Sequence, residues 1–279
     1  MDAWVDNTHR DAFTHTVRIT DEDAAIEASG VCTPPPSYEV RSARARVLSG
    51  PVDTDLAMAF AGLEGERMVA GFTRRLGDLC GSRRGAALFV DAGIEIARLA
   101  RQVTRLPAEA TARFVRGDAL QCWALDSAAW NDLPGSCFTY SAAGQALLGA
   151  PNVFSQADRD LYSPPPGASK IFTRRRSVRL VQTGDRLHLF HSLHDNVHGF
   201  DVHCEIDLPS ERIAAAESVI SRLPYRGICS QPQAKIASLT GLPVDAGLRK
   251  RLQALVGGST GCAQLYDLLA DLLKFLSFH

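Results

Sequence analysis

The sequence predicts an α+β fold of two pseudo-symmetric halves, each a small antiparallel sheet packed with helices on one side. Three observations favour it. In both halves, segments that alternate apolar and polar residues, as half-buried strands do, precede helical segments. Turn-forming residues separate the strands. Similar stretches recur along the chain, which indicates an internal repeat packed as one globular unit.

Composition is that of an ordinary globular domain. The 279 residues are 46% hydrophobic and carry a net charge of -1, so no basic field favours nucleic acid. No apolar run reaches the roughly 20 residues of a membrane span, and the polar N-terminus does not resemble a signal peptide. The seven scattered cysteines include no C-x-x-C pair. We therefore expect a cytoplasmic protein with neither a nucleic-acid nor a membrane partner.

The first repeat, residues 1–106, is predicted to begin with strands and to continue with helices. Phe13–Ile19 alternates as a strand does. Asp53–Leu63, Glu66–Leu79 and the longer Ala86–Leu106 have helical spacing of their apolar residues.

The connecting segment, residues 107–169, contains two kinds of sequence. Leu120–Gly144 is aromatic and is predicted to be extended. Ala150–Ser169 contains a Pro-Pro-Pro-Gly run and is the best linker candidate.

The second repeat, residues 170–279, is predicted to begin with a hairpin. Phe172–Val181 and Arg186–Leu193 flank the turn Thr183-Gly184-Asp185. Three helical stretches close the chain: Gln231–Leu239, Val244–Val256 and Cys262–Phe278.

Leu187–Leu208 holds five of the eight histidines. Strand alternation places His191 and His198 among inward apolar residues. Inward histidines are candidates for acid/base chemistry, and core histidines that hydrogen-bond to the backbone are an equal alternative. The remaining three point outward or lie near the turn at Asp195-Asn196: His188, His203 and His194.

The repeat is visible in two alignments. Ala70–Ala86 resembles Ala246–Cys262 at an offset of 176 residues (246 − 70). Phe13–Ile19 resembles Phe200–Ile206 at an offset of 187 (200 − 13). The difference implies a deletion of about eleven residues in the second copy.

The second alignment adds candidates from the first half. It pairs His15 with Val202 and Asp11 with His198. Asp11, His15 and His198 would then face inward on related strands, where they could transfer protons or bind a metal. The alternative is polar strand ends at the rim of the core.

Four short motifs carry a family resemblance. They are Phe172-Thr173-Arg174-Arg175, Val197-His198-Gly199-Phe200, Pro224–Cys229 and Gly261–Leu265. They resemble the His-Thr-Arg-Arg, Ile-His-Asp-Met, Pro-Tyr-x-x-Cys and Gly-Cys-Thr-His-Leu motifs of a bacterial family described only as a domain of unknown function (family 2889). The resemblance covers roughly residues 170–275, and the first half resembles it only as a degenerate copy.

The chain departs from that family at two positions. Phe172 and Gln264 stand where the family usually has histidine. If those histidines bind metal in relatives, this chain has lost the site or moved it to His191, His194 and His198.

The order of elements is also similar to the iron–sulfur scaffold fold, with Cys229 and Cys262 at two of its ligand positions. A cluster needs about four ligands, and the others have no counterpart. The resemblance therefore implies the fold and not the cluster. It also implies a strand at Ile213–Leu223, although the alanine content of that segment favours helix.

Aromatic and basic residues complete the candidate site. Arg174 and Arg176 could bind a carboxylate or phenolate, and Trp123 and Tyr225 could line an aromatic pocket. Tyr140 is a candidate general acid. The alternatives are a charged strand edge for the arginines and core packing for the aromatic residues.

The family resemblance implies a link to aromatic-compound breakdown. The leading hypothesis is a cofactor-independent lyase of lignin-type catabolism. His198 or His191 removes a hydroxyl proton, a C–C bond breaks, and a small aldehyde such as formaldehyde leaves. An arginine or tyrosine stabilises the charge that develops, and neither metal nor cofactor is required.

Two other classes of function remain open. One is a non-catalytic metal-binding or scaffold protein that uses His191, His194 and His198 with Asp195 or Asp201. The other is a degenerate paralogue that partners another subunit. The enzyme hypothesis needs only a small aromatic substrate as its partner, and a homodimer is compatible with it.

Overall fold

The structure, a computed structural model, describes residues 1–276. Within them, eight long strands form an antiparallel sheet in the order β4-β3-β2-β1-β6-β7-β8-β9, and two short strands, β5 and β10, pair separately. The strands are β1 (Asp2–Asp6), β2 (Phe13–Thr20), β3 (Ala25–Cys32), β4 (Val40–Ser49), β5 (Phe154–Ser155), β6 (Phe172–Thr183), β7 (Arg186–Asp195), β8 (Gly199–Asp207), β9 (Arg212–Arg222) and β10 (Tyr225–Arg226).

The helices vary from single turns to four turns. They are α1 (Asp55–Ala61), α2 (Phe72–Cys80), α3 (Ala86–Leu99), α4 (Ala108–Thr111), α5 (Ala119–Ala129), α6 (Ala142–Gln145), α7 (Ser230–Gln233), α8 (Leu248–Val256) and α9 (Ala263–Leu272). Short 3-10 turns flank several of them, including Phe138–Tyr140 and Ala234–Leu239. Over residues 1–276, none of these helices is long and apolar enough to cross a bilayer.

The chain divides into two compact units. The first comprises residues 1–114, 129–131 and 158–174, and the second comprises 115–128, 132–157 and the chain from 175 onward. The predicted connecting segment is thus divided between the units.

In the first unit, α3 packs on β2 and β3. Val17 and Ile26 from the strands and Phe89 and Ile96 from the helix are almost completely buried. Burial of each such side chain contributes about 1.5–3 kcal/mol, so this contact between helix and sheet forms the core of the unit.

In the second unit, α9 packs on β7 and β8, and the 3-10 turn 234–239 packs on β9. Leu189 and Leu193 on β7 alternate with more exposed neighbours, as predicted for a strand with one buried face. The predicted hairpin is confirmed as β6 and β7. The strand at Ile213–Leu223 is confirmed as β9, because pairing with β8 outweighs the helical preference of its alanines.

The prediction of an extended conformation for Leu120–Gly144 was wrong. Residues 119–129 form α5, and Cys122, Leu125 and Ala129 are buried at positions i, i+3 and i+7. That spacing is helical, although the aromatic content of the whole segment favoured a strand.

Candidate functional site

The turn between β7 and β8 holds a buried carboxylate against an imidazole. Asp195 ends β7, and its Oδ1 accepts the backbone N–H groups of Val197 at 2.8 Å and His198 at 2.6 Å. Both carboxylate oxygens lie 3.1 Å from Nδ1 of His198. The backbone hydrogen bonds fix the carboxylate, so Asp195 orients the ring of His198.

The surroundings of His198 settle the position of its proton. Because an ionised carboxylate only accepts hydrogen bonds, Nδ1 carries a proton, and in the neutral ring the lone pair then lies on Nε2. The Asp195 side chain is fully buried, whereas that of His198 is 11% exposed. In the described chain, no hydrogen bond engages Nε2. An oriented imidazole with a reachable lone pair is the arrangement of a general base.

Two neighbours of this turn support its geometry. The Arg222 guanidinium donates to the backbone carbonyl of Asp195. Gly199 lies against β9, and a Cβ atom there would be 2.2 Å from Oγ of Ser221. A side chain at position 199 would therefore require the Ser221 hydroxyl to move, and its Cβ would also lie 3.2 Å from the backbone nitrogen of Arg222.

His191, the second candidate base, makes two hydrogen bonds in the core. Its Nδ1 lies 2.9 Å from the carbonyl oxygen of Leu268, and its Nε2 lies 3.4 Å from an NH2 of Arg176. A carbonyl only accepts and a guanidinium only donates, so the ring is neutral and its lone pair points at Arg176. This geometry favours a structural role, and the catalytic role of His191 stays a prediction.

Both candidate substrate-binding arginines form buried ion pairs. Arg174 lies 3.1 Å from Oε1 of Glu95 on α3, and the two side chains are 1% and 0% exposed. Arg176 lies 2.5 Å from Oδ2 of Asp271 on α9. The first contact connects β6 to α3 and the second connects β6 to α9, and both hold the guanidinium groups in the core.

Asp11 and His15 both lie in the first unit, in different surroundings. Asp11 is exposed, and its carboxylate forms a two-pronged ion pair with Arg41 that lowers its pKa. His15 is 1% exposed on β2, and neither ring nitrogen makes a well-formed hydrogen bond within the described structure. Burial lowers the pKa of His15 to about 4, so the ring is neutral at physiological pH.

Tyr140 and Tyr225 both hydrogen-bond to the carboxylate of Asp126. Both hydroxyls donate to Oδ2 of Asp126 on α5, Tyr140 at a distance of 2.7 Å. The two rings pack edge to face with centroids 6.3 Å apart. One turn earlier on α5, Trp123 has a buried indole N–H without a hydrogen-bond partner among the described residues. The second unit therefore brings together two of the predicted site residues, Tyr140 and Tyr225.

Cys229 and Cys262 have the character of core thiols. Cys229 lies 3.0 Å from the hydroxyl of Thr139, and Cys262 accepts from the backbone N–H of Leu265 at the start of α9. Burial raises the pKa of Cys229 to about 12 and that of Cys262 to about 11. Both are therefore protonated at neutral pH, which is unfavourable for metal binding. Within residues 1–276, no three His, Cys, Asp or Glu side chains converge on a metal position.

Two acidic residues that position the candidate site residues were not predicted in that role. Asp195 was predicted only as a possible metal ligand, although an Asp at a turn commonly accepts the backbone N–H two residues on, as it does here from Val197. Asp126 was overlooked because its segment was predicted to be extended; a helical interpretation would have placed it one turn after Trp123.

Comparison with known proteins gives one match. No curated protein and no solved structure shows significant similarity to the chain. Residues 172–276, which include β6 to α9 and the Asp195–His198 pair, match the family model described as protein of unknown function (DUF2889).

Proposed function

We propose that the chain is a cofactor-independent acid/base enzyme that acts on a small aromatic compound. The observation that carries the proposal is the pair of Asp195 and His198, in which a fully buried carboxylate orients an imidazole and leaves Nε2 to meet a substrate. The same pairing of a base with an orienting carboxylate recurs in enzymes of unrelated folds.

The reaction we propose is carbon–carbon cleavage of lignin-type aromatic compounds. Nε2 of His198 takes the proton of a primary hydroxyl on the side chain, and the oxygen forms the C=O bond of formaldehyde. The electron pair of the breaking C–C bond passes to the carbon next to the ring, and the proton returns there from His198. No redox partner is needed, and a nucleic acid or membrane has no role. We expect this chemistry in the cytoplasm.

The alternative of a metal-binding scaffold has less support. His194 pairs with Asp201 at 3.1 Å, while His191 and His198 each contact other groups, so these histidines do not share one position in the described chain.

We also propose that the two halves are an internal repeat, related by an alignment simpler than the one read from the sequence. In the described chain the eight-stranded sheet consists of two runs of four long strands, β1–β4 and β6–β9, and helices follow each run. In this order β2 corresponds to β7 rather than to β8. An offset of 176 then relates α2 to α8 (248 − 72), His15 to His191 (191 − 15) and Glu95 to Asp271 (271 − 95). This alignment needs no deletion, and it replaces the pairing of His15 with Val202.

Formaldehyde release tests the enzymatic proposal. We expect the purified chain to release formaldehyde from at least one member of a panel of aryl-substituted primary alcohols. The variant H198Q should lose at least about 100-fold in turnover, because a glutamine cannot accept the proton. His194 is a matched control on the same hairpin, since it also pairs with an aspartate but is exposed. H194Q should retain turnover, and equal losses in both variants, or none in H198Q, would contradict the proposal.

A further inference from the structure

Two histidines face each other across strands β7 and β8. In the strand register, His188 on β7 lies opposite Glu205, and His203 on β8 lies opposite Phe190. Nδ1 of His188 is 3.3 Å from Nε2 of His203, and the two ring centroids are 5.5 Å apart. The two nitrogens therefore lie on the facing edges of the rings. Solvent reaches both side chains, which are 26% and 22% exposed.

Glu217 on β9 determines which nitrogen of His203 carries a proton. Its Oε1 lies 3.2 Å from Nδ1 of His203, and an ionised carboxylate only accepts hydrogen bonds. In the neutral ring the lone pair is then on Nε2, the nitrogen that faces His188. The ring of Phe190 is nearly parallel to that of His203, with centroids 4.6 Å apart, and it restricts the imidazole further. A histidine whose other N–H is held by a carboxylate is the usual form of a metal ligand.

The spacing of the two nitrogens matches that of two ligands on one metal ion. At 3.3 Å it is longer than the roughly 2.9–3.0 Å that is usual when an N–H group donates a hydrogen bond. Two imidazole nitrogens bound at about 2.0–2.1 Å to one tetrahedral zinc ion lie roughly 3.3–3.4 Å apart. To offer its Nδ1, His188 needs only to carry its proton on Nε2, a change of tautomer that leaves the ring neutral.

The charges beside the two rings favour a cation. Oε2 of Glu205 lies 3.9 Å from Nδ1 of His188, whereas Arg186 pairs with the other oxygen of Glu205 at 3.2 Å. Arg186 also lies 3.4 Å from the carboxylate of Asp207, so its charge is shared between two acids. Together with Glu217, these groups carry a net negative charge, which attracts a metal ion.

We propose that His188 and His203 form a binding site for a divalent transition metal such as Zn²⁺, with water in the remaining coordination positions. The proposal goes beyond the proposed function and does not rest on it. Within residues 1–276 no set of three ligands converges, so binding is weaker than at a four-ligand structural site. The ion joins β7 to β8, the strands that flank the turn of Asp195 and His198, and it stabilises this hairpin.

Calorimetric titration with Zn²⁺ of the full chain, purified without a histidine tag, tests the site. We expect about one equivalent of Zn²⁺ to bind. H188Q and H203Q should each abolish binding at micromolar Zn²⁺, because each variant removes one of two ligands. E217Q should weaken binding about tenfold or more, since His203 loses the carboxylate that orients it. Glu217 is 74% exposed, so E217Q keeps the test valid if circular dichroism shows that a histidine variant does not fold.

His194 provides the matched control. It lies on β7 as His188 does and also contacts a carboxylate, that of Asp201 at 3.1 Å. H194Q should therefore bind Zn²⁺ as the native chain does. Thermal denaturation gives a second readout, because a ligand that binds the folded state raises its stability. The native chain and H194Q should melt at a higher temperature in Zn²⁺ than in a chelator, and H188Q should melt at the same temperature in both.

Three results would overturn the proposal: no Zn²⁺ binding at millimolar concentration, undiminished binding in H188Q and H203Q, or an equal loss in H194Q. The proposed function is judged separately, because His203 takes no part in the cleavage reaction. H203Q should release formaldehyde at the native rate, whereas H198Q should lose that release and keep the Zn²⁺ site.

Discussion

The two units differ in how they accommodate a buried histidine on their second strand. In the second unit, His191 donates a hydrogen bond to the carbonyl of Leu268 and accepts one from Arg176. In the first unit, His15 is equally buried and neither of its nitrogens makes a well-formed hydrogen bond in the described chain. The same residue type thus stabilises one core and costs stability in the other.

The ion pairs show a second contrast. Glu95 and Arg174 are almost fully withdrawn from water, whereas Asp271, the partner of Arg176, is 15% exposed and also pairs with Lys274. Each carboxylate has a second cation beside it, since Glu95 also lies 3.5 Å from Arg98, so the two sites differ mainly in their exposure to water. In the second unit, the Asp195–His198 turn leaves Nε2 of His198 without a hydrogen bond among the described residues.

The largest expected effect comes from breaking the first-unit ion pair. E95A leaves the Arg174 guanidinium in the core without its carboxylate and should lower the free energy of unfolding by about 3–5 kcal/mol. D271A should cost less, about 1–3 kcal/mol, because water reaches that site. Urea denaturation of both variants measures the difference. A larger loss of unfolding free energy in D271A than in E95A would contradict this contrast between the two units.

A smaller effect concerns pH. The pKa of His15 is about 4 in the folded chain and near 6.5 when unfolded, so between these values the unfolded state binds more protons. His15 therefore reduces the free energy of unfolding as the pH falls from 6.5 to 4, by about 3 kcal/mol in total. H15L should remove this part of the acid sensitivity, which denaturation at several pH values would detect. An H15L chain that loses stability over this range as steeply as the native chain would contradict the account.

The sequence was sufficient for the architecture and insufficient for the site. Alternation identified β2 and β7, because burial of one strand face leaves a period of two in the residues. The hairpin turn identified β6, and the resemblance to the iron–sulfur scaffold fold implied β9. The same alternation pointed His191 and His198 inward, and both are largely buried. It could not distinguish them, because the partner of His191 is a backbone carbonyl 77 residues away, whereas that of His198 is three residues away. The ion pairs Glu95–Arg174 and Asp271–Arg176 likewise join segments that are distant in sequence, so no local sequence pattern predicts them.

The proton position on His198 tests the central claim most directly. Nitrogen-15 chemical shifts of the imidazole, measured on the native chain and on D195N at neutral pH, report which ring nitrogen carries the proton. We predict a neutral ring protonated on Nδ1 in the native chain, held there by Asp195, and a mixture of both tautomers in D195N. A native ring protonated on Nε2 would contradict the account, because His198 would then have no lone pair to offer a substrate.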